Sequence, residues 1–357
     1  MPPDPNAFAA ELVSQGASAI AGGAASIMTD RDPSLAERWG LGAFAHWKAD
    51  LADRLAYLAT AVRAGRPELF ASHVRWSAFA FRSRGVPIDD LRLAVESLGE
   101  SAVDAMPPMA VPPVRAAVDA ALAVLAQPMS DRPMGRSFDA EHAELSQRYM
   151  LALLEGDRDR ASRLILEAVD GGLSVPEVYG KVLGPVQQEL GELWMAGDLH
   201  IGAEHFATET TRHVMSQLFP VITRMPKREG RVALASSVEG NQHDIGIRMV
   251  ADLLEMDGWR PVYLGASVPA PDLVETAIDF NVDVVVLSAM LALHIDATRE
   301  AISAFRAHEQ TRELPIIVGG PAFGDAPGLW AELGADGFAD RAADIAGVAE
   351  RLVANRG

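Results

Sequence analysis

The pattern that follows Arg231 constrains the fold more than any other feature of this chain. Five short, nearly continuous apolar runs alternate there with helical runs. The strand candidates are Val232–Ser237, Pro261–Gly265, Val282–Ser288, Pro315–Gly320 and Gly337–Asp340. Apolar strands that alternate with helices are typical of a parallel, doubly wound sheet, in which ligands bind at the carboxyl ends of the strands. We therefore predict a flavodoxin-like or Rossmann-like α/β domain over residues 231–357.

Residues 138–225 show a purely helical pattern. Four amphipathic runs are joined by short connections that contain glycine, and Ser174 with Glu177 predicts a capping box for the third run. The predicted helices are Phe138–Glu155, Arg158–Asp170, Val175–Met195 and Ile201–Thr223. Short loops between amphipathic helices predict a four-helix bundle.

Residues 1–130 are rich in alanine and show no strand-like alternation, so we predict a third, all-helical domain. Its helical runs include Leu51–Val62, Pro67–Phe81, Ile88–Val103 and Val114–Leu125. The segment Pro128–Gly135 carries two prolines and a glycine among polar residues and predicts a linker.

Composition excludes several classes of protein and site. The 357 residues include no cysteine, so disulfides, thiolate metal sites and thioether-bound cofactors are excluded. A formal net charge of −18 argues against binding to nucleic acid. The first residues lack the basic and apolar regions of a secretory signal, and we find no run of eighteen apolar residues. We therefore expect a cytoplasmic protein without a membrane span.

Unusual residues cluster where the predicted strands end. The loop after the first strand contains Asn241-Gln-His243-Asp-Ile-Gly246, in which Asp244 is a candidate helix N-cap. The third strand ends in Ser288-Ala-Met290, and the fourth ends in Gly319-Gly320. A histidine in such a loop can point away from the sheet toward a docked ligand, and neutral imidazole is a good ligand for cobalt.

This pattern resembles the cobalamin-binding domain of methionine synthases, mutases and cobalamin photoreceptors, which reads Asp-x-His-x-x-Gly, Ser-x-Leu and Gly-Gly at the same spacing. The resemblance covers the whole C-terminal domain. It implies that His243 is the lower cobalt ligand and that the displaced nucleotide tail passes Ser288 and Gly319-Gly320. Asp244, Ile245 and Gly246 would complete the cofactor-binding loop.

Two residues depart from the family pattern. Asn241 stands where the family has an aspartate that hydrogen-bonds the ligand histidine, so we expect a less electron-rich imidazole. Met290 replaces the leucine of the second motif, a change of similar volume that puts little in doubt.

The predicted bundle fits the four-helix cap of that family. Trp194, followed after nine residues by Glu204-His205, resembles the light-sensing adenosylcobalamin proteins of the CarH and LitR type. The resemblance implies that Trp194 lies over the adenosyl group and that Glu204 contacts its ribose, with His205 nearby. Met195 replaces a histidine that takes the upper cobalt face in those proteins after photolysis. We therefore expect a hydroxy- or aqua-cobalamin photoproduct, unless His200 or His205 substitutes.

The N-terminal domain lacks the features of the DNA-binding module of CarH-type repressors, and we expect no DNA target. It holds three of the six tryptophans. One interpretation is a helical interaction domain with an aromatic core that binds a protein partner. The other rests on a resemblance in architecture to the photocobilins, which pair cobalamin with biliverdin. Candidate residues for a non-covalent bilin are His73, Arg75, Trp76, Arg82 and Arg84.

Taken together, these patterns predict a non-enzymatic photoreceptor that binds adenosylcobalamin and changes its conformation or homo-oligomeric state in light. Biliverdin would be a second chromophore. Two alternatives stay open: a corrinoid methyl carrier of a methyltransferase system, and a cobalamin-dependent regulator that binds a protein partner.

Overall fold

A computed structural model describes residues 4–128, 138–224 and 231–354. The chain divides into two compact units, Met1–Gly135 and Arg136–Gly357. Apart from Pro128, the predicted linker lies outside the described residues. The division puts the predicted bundle and the predicted sheet domain into the same unit.

The N-terminal unit is helical throughout its described part, as predicted. Prolines occupy the first positions of its first and fourth helices, where a missing N–H leaves no bond unmade. Its helices are α1 (Pro5–Arg31), α2 (Leu35–Trp39), α3 (Ala43–Ala64), α4 (Pro67–Ser83), α5 (Ile88–Asp104) and α6 (Val111–Leu125). Helix α1 packs along α3 and α5, and α4 packs along α6.

One stretch of the described residues, Pro108–Leu125, is long and apolar enough to span a membrane by length and composition alone, with a mean hydropathy of 1.4. It includes all of α6. Val114, Ala117 and Ala121 form a buried face of that helix, which packs against α4 and α5.

The C-terminal unit begins with the bundle. Its helices are α7 (Ala143–Leu154), α8 (Arg158–Asp170), α9 (Val175–Glu177), α10 (Gly184–Ala196) and α11 (Ile201–Ile222). The capping box of Ser174 and Glu177 is confirmed. The third predicted helix is interrupted, because a π-helical turn at Val178–Leu183 joins α9 to α10.

The remainder of the unit is a five-stranded parallel sheet with strand order β2-β1-β3-β4-β5. The strands are β1 (Val232–Val238), β2 (Arg260–Val268), β3 (Val284–Ser288), β4 (Ile316–Gly319) and β5 (Gly337–Ala339). The helices are α12 (Ile245–Met256), α13 (Ala270–Asp279), α14 (His294–Ala307), α15 (Leu329–Glu332) and α16 (Ile345–Ala354). This order is that of the flavodoxin-like fold, and the predicted fold class is confirmed.

Bundle and sheet share one apolar core. Met249 of α12 is buried within the bundle core, and Ile245 and Leu253 pack against it. The hydroxyl of Tyr179, on the π-helical turn, donates to Oδ2 of Asp252 at 2.6 Å across this interface. Burial raises the pKa of Asp252 to about 6. The bundle is therefore anchored on α12. This helix directly follows residues 239–244, the loop that contains His243 and is called the histidine loop below.

Candidate cofactor site

The predicted site residues meet at the carboxyl edge of the sheet. Ser288, at the end of β3, is paired in register with Ser237 of β1 on one side and with Gly319 of β4 on the other. The strand order reverses between β1 and β3, and open α/β sheets bind ligands at such a switch point. His243 lies in the loop that leaves β1 at this point.

Asn241 orients the imidazole of His243. Its side chain is fully buried, and Nδ2 donates to the carbonyl oxygen of Ser288 at 3.0 Å. Oδ1 accepts from the backbone N–H of His243 and faces Nδ1 of that ring, each at 3.1 Å. Because the first two bonds fix which amide atom is oxygen, Nδ1 must carry the proton. The lone pair of the His243 ring is therefore on Nε2. Since the residue is exposed, this nitrogen is available to a ligand.

Desolvation favours the neutral form of the His243 imidazole. Desolvation lowers the pKa of His243, while the charges of Glu204 and Asp244 act in the opposite direction. Neutral imidazole with a free Nε2 lone pair is the form that binds a transition metal. Glu204 belongs to helix α11 of the bundle, and Arg212 of the same helix donates to Asp244 beside His243, so the bundle faces the histidine loop.

Ser267, which the sequence patterns did not single out, braces the histidine loop from β2. It has a left-handed backbone with φ of 55°. Its Oγ accepts from the N–H of Gly240 at 3.0 Å, and its own N–H donates to the carbonyl of Asn241 at 3.1 Å. The loop is thus fixed on both sides of Asn241.

The glycine pair is required by the protein backbone itself. Gly320 has φ of 104°, and a Cβ there would collide with the carbonyl oxygen of Ala289. A Cβ at Gly319 would lie 3.0 Å from the carbonyl oxygen of Ala339. Close packing of neighbouring strand ends therefore explains both glycines, in addition to any approach by a ligand.

Three further predicted residues surround the loop. Ile245 is half-buried against the bundle core. Gly246 is exposed in the first turn of α12, where an added Cβ would meet open space. Met290 is half-buried just after β3.

Asp244 occupies the N-cap position of α12, as predicted, but the predicted capping bond is wrong. Among the described residues its carboxylate accepts no hydrogen bond from the first turn of the helix. It instead accepts from Arg212 of α11 and from the hydroxyl of Tyr263 on β2. An ion pair with guanidinium is stronger than a neutral cap bond, and it turns the side chain away from its own helix.

His294 is a site residue that sequence reasoning missed. It is 7% exposed, and its ring lies 6.5 Å from that of His243 between centroids. Its Nδ1 accepts from the N–H of Leu291 at 3.0 Å, so Nε2 carries the proton. Burial, with a contribution from the charge of His243, lowers the pKa of His294 to about 4, and the residue is neutral at pH 7. The sequence signal that could have indicated His294 is its position at the start of α14, the helix that follows β3.

The bundle presents Trp194 and Glu204 at adjacent helix ends. Trp194 lies in the last turn of α10 and is 41% exposed. After a left-handed turn at Gly197, Glu204 follows in the first turn of α11. The His205 side chain is mostly exposed, with Nε2 3.6 Å from Oε2 of Glu204. His200 caps α11, since its Nδ1 accepts from the N–H of Ala203.

Glu204 is connected to the interior of the bundle. Its Oε1 accepts from the hydroxyl of Thr208 at 2.8 Å, and that hydroxyl also lies 3.1 Å from Oε1 of Gln187. Gln187 Nε2 donates to Thr211, which is in turn bonded to the buried hydroxyl of Tyr149. These bonds hold the Glu204 carboxylate in a defined orientation.

The five bilin candidates are not gathered in one place. On α4, His73 and Trp76 lie on one side, whereas the helical period places Arg75 and Arg82 on the opposite side. Arg75, Arg82 and Arg84 are exposed. His73 stacks on Tyr57 at 3.6 Å between ring centroids, and its Nε2 is buried without a hydrogen-bond partner among the described residues.

Comparison with known proteins finds a family match for each part of the C-terminal unit. Residues 231–347 match the B12 binding domain, and residues 145–218 match a second family with the same description, B12 binding domain. The chain is 26% identical over 206 residues to a corrinoid protein of Desulfitobacterium hafniense, covering 57% of this chain and 94% of that protein. It is 29% identical over 190 residues to the HTH-type transcriptional repressor CarH of Myxococcus xanthus, covering 53% of this chain and 62% of that protein.

Among solved structures, the monomethylamine corrinoid protein of Methanosarcina barkeri has the same fold. The TM-score is 0.52 at 23% identity, and the match covers 59% of this chain and 99% of that chain. The C-terminal unit of this protein is therefore a cobalamin-binding module, built from a helical bundle and a flavodoxin-like sheet domain.

Proposed function

We propose that this protein is a light sensor that binds adenosylcobalamin between the bundle and the sheet domain. His243 would be the lower cobalt ligand, with the cofactor's own base displaced. The observation that carries this proposal is that Glu204 lies on α11, the helix whose Arg212 is hydrogen-bonded to Asp244 directly beside His243. Trp194 is exposed in the last turn of α10, and Glu204 lies in the first turn of the next helix, α11.

The lower side of the site fits a corrinoid. His243 offers an exposed nitrogen ligand of fixed tautomer, and Ser288 offers a partly exposed hydroxyl at the switch point. The surfaces of Ile245, Gly246 and Met290 surround the same loop, next to the glycine pair. The chain contains no cysteine, so a thiolate cannot compete with the His243 imidazole for the cobalt.

The upper side fits an adenosyl group. Indole can stack on the adenine plane, and the Glu204 carboxylate can accept from the ribose diol, with His205 beside it. When bound, adenosylcobalamin supplies a cobalt–carbon bond that light breaks. Trp194 and Glu204 then lose their contacts with the departing group. Because a ligand shifts an equilibrium only through contacts that differ between states, this loss can change the bundle position or the homo-oligomeric state.

The second candidate function is that of a corrinoid methyl carrier in a methyltransferase system. The corrinoid protein of Desulfitobacterium hafniense and the fold of the Methanosarcina barkeri protein support it. His243 serves both functions equally. Trp194 and Glu204 distinguish them, because a methyl group offers neither a ring to stack on nor a diol to bind.

Dark reconstitution with adenosylcobalamin and with methylcobalamin tests the choice. For a light sensor we expect tighter retention of the adenosyl form and a change in oligomer size after illumination. Trp194→Ala and Glu204→Gln should reduce retention of the adenosyl form only. Phe219→Ala, which removes an exposed apolar side chain near the opposite end of α11 from Glu204, is the control. Equal retention of both forms, with no effect of light or of the two variants, would favour the methyl carrier.

The N-terminal unit would add a second input or an output. We propose that it binds biliverdin non-covalently, with His73 as a contact, because its Nε2 is buried without a partner among the described residues. Titration with biliverdin should then produce a red-absorbing complex that His73→Phe weakens. Failure to form any complex would favour a domain that binds a protein partner.

A further inference from the structure

Asp244 gives up a stabilising local bond. As the N-cap of α12 it is placed to accept a hydrogen bond from the first turn of that helix, an interaction that stabilises helices. Among the described residues it makes no such bond, and its side chain points to the bundle instead. A residue type suited to one role is here used for another.

Both carboxylate oxygens of Asp244 are engaged by other elements of the C-terminal unit. Oδ1 accepts from Nε of Arg212 at 3.0 Å and also from its Nη2, and Oδ2 accepts from the Tyr263 hydroxyl at 3.0 Å. The Asp244 side chain is 15% exposed and that of Arg212 is 27% exposed, so the pair is shielded from water. Nη1 of the same Arg212 guanidinium donates to Oε1 of Glu209.

Helix α11 connects this ion pair to the upper side of the cofactor site. It carries Glu204 in its first turn and Arg212 eight residues later, a distance of about 12 Å along a rigid helix. Asp244 directly follows His243 in the chain. A shift of α11 at Glu204 is therefore applied, through Arg212, to the residue next to the proposed cobalt ligand.

We propose that Asp244, Arg212 and Tyr263 form a positioning latch that ties bundle helix α11 to the His243 loop. The latch holds His243 in the geometry needed for cobalt ligation, and it transmits movements of α11 to that loop. The inference rests on the proposed role of His243. It does not depend on the upper ligand or on a response to light.

The test compares variants that differ only in contact with the histidine loop. Asp244→Ser breaks the latch but keeps a good N-cap residue, so α12 should keep its stability. Arg212→Met breaks the latch from the bundle side. Arg248→Met is the matched control, because the Arg248 side chain also crosses the interface, to Ser216 at 2.9 Å, and the bond of Arg248 to Asp244 is made by its backbone N–H, which the substitution keeps.

The readout is ligation of adenosylcobinamide in the dark. This corrinoid has no nucleotide base, so nitrogen ligation of its lower face must come from the protein and shifts its visible absorption to longer wavelength. We expect Asp244→Ser and Arg212→Met to weaken the ligated form about 10-fold, as loss of an outer partner of a metal ligand does. Arg212→Lys should restore part of the effect, and Arg248→Met should match the unmodified protein.

The possible outcomes separate the latch from the proposed function. Equal ligation in Asp244→Ser, Arg212→Met and the unmodified protein would overturn the latch. An equal loss in Arg248→Met would also overturn it, by showing a general effect of the interface. If the spectrum of adenosylcobinamide does not shift with the unmodified protein, and His243→Ala binds this corrinoid equally well, the proposed cobalt ligand itself is wrong.

Discussion

The histidine loop and the aromatic core of the N-terminal unit differ in whether their buried polar groups have hydrogen-bond partners. Around the loop, Asn241 is fully buried and its amide has a partner on both sides. In the N-terminal unit, Trp47 Nε1 and His73 Nε2 are buried without a hydrogen-bond partner among the described residues. A partnered group has one orientation and one tautomer, so its chemistry can be assigned. An unpartnered group indicates only that something about its surroundings is unusual.

The sharpest test of this contrast is His243→Ala. We expect cobalamin affinity to fall at least about 100-fold, the upper end of what loss of an outer partner alone causes, because the cobalt ligand itself is removed. The nitrogen-ligated absorption spectrum should disappear with it. Titration of the protein with cobalamin in the dark measures both effects.

His213→Ala is the matched control, since His213 is an exposed histidine of α11 bonded to Gln217. It should leave both measurements unchanged. Unaltered affinity and spectrum in His243→Ala would contradict the ligand assignment and remove the main difference between the two regions.

Asn241→Asp tests whether the amide sets the properties of His243. The change removes the donor to the Ser288 carbonyl and places a carboxylate oxygen against it, which should lower the free energy of unfolding by about 2 to 3 kcal/mol. A carboxylate facing Nδ1–H makes imidazole a stronger ligand. Stability and cobalt ligation should therefore change in opposite directions.

Denaturant unfolding and the absorption spectrum of the bound corrinoid measure the two effects of Asn241→Asp. Asn241→Ala, which loses both bonds, should reduce stability and ligation together. If Asn241→Asp weakens ligation as much as Asn241→Ala does, the amide does not act through the ring.

Much of this site was predictable because its signals are local in sequence. Strand periodicity gave the sheet, and the loop from Asn241 to Gly246 with Ser288 and Gly319-Gly320 gave its ligand-binding edge. The partners of these residues were not predictable. Arg212 and Asp244 are 32 residues apart and Tyr179 and Asp252 are 73 apart, so packing of the bundle on α12 decides where those side chains point.

The same reasoning explains the errors. Asp244 fits a helix N-cap by residue type, but a guanidinium from another helix outcompetes the local bond. The third bundle helix has a continuous apolar period, which does not reveal the π-helical turn at Val178–Leu183. Bilin binding by the N-terminal unit stays a prediction, and residue type alone did not show that α4 puts His73 and Arg75 on different sides.

Asp252→Asn tests a buried group that has a hydrogen-bond partner but lowers the stability of the fold when it is ionised. Burial raises the pKa of Asp252 from 3.8 to about 6, Glu255 acts in the same direction, and Tyr179 and Arg248 oppose them. The folded state therefore resists ionisation, and the penalty appears as pH rises from about 4 to 6. An amide keeps the acceptor for the Tyr179 hydroxyl without the charge.

We expect Asp252→Asn to increase the free energy of unfolding at pH 7.5 by about 2 kcal/mol and to have little effect at pH 4. Thermal unfolding at the two pH values measures this. Asp257→Asn, which removes a carboxylate at the end of the same helix, is the control and should not reproduce the gain at pH 7.5. A loss of stability at pH 7.5 would show that the charge itself stabilises the interface.

His73→Phe tests the opposite case, a buried group without a partner among the described residues. A phenyl ring can keep the stack on Tyr57 and removes the buried Nε2, so the free energy of unfolding at pH 7 should increase by about 1 kcal/mol. Burial, assisted by the charge of Arg54, lowers the pKa of His73 from 6.5 to about 3. Protonation of this residue in the unfolded chain therefore destabilises the fold as pH falls below 6.5, and the variant should lose less stability in acid. His46→Phe, which replaces an exposed ring stacked on Trp39, is the control and should not reproduce the gain in stability at pH 7. A His73→Phe protein that is less stable at pH 7 would mean that the ring nitrogen is satisfied after all, and the contrast between the two regions would no longer hold.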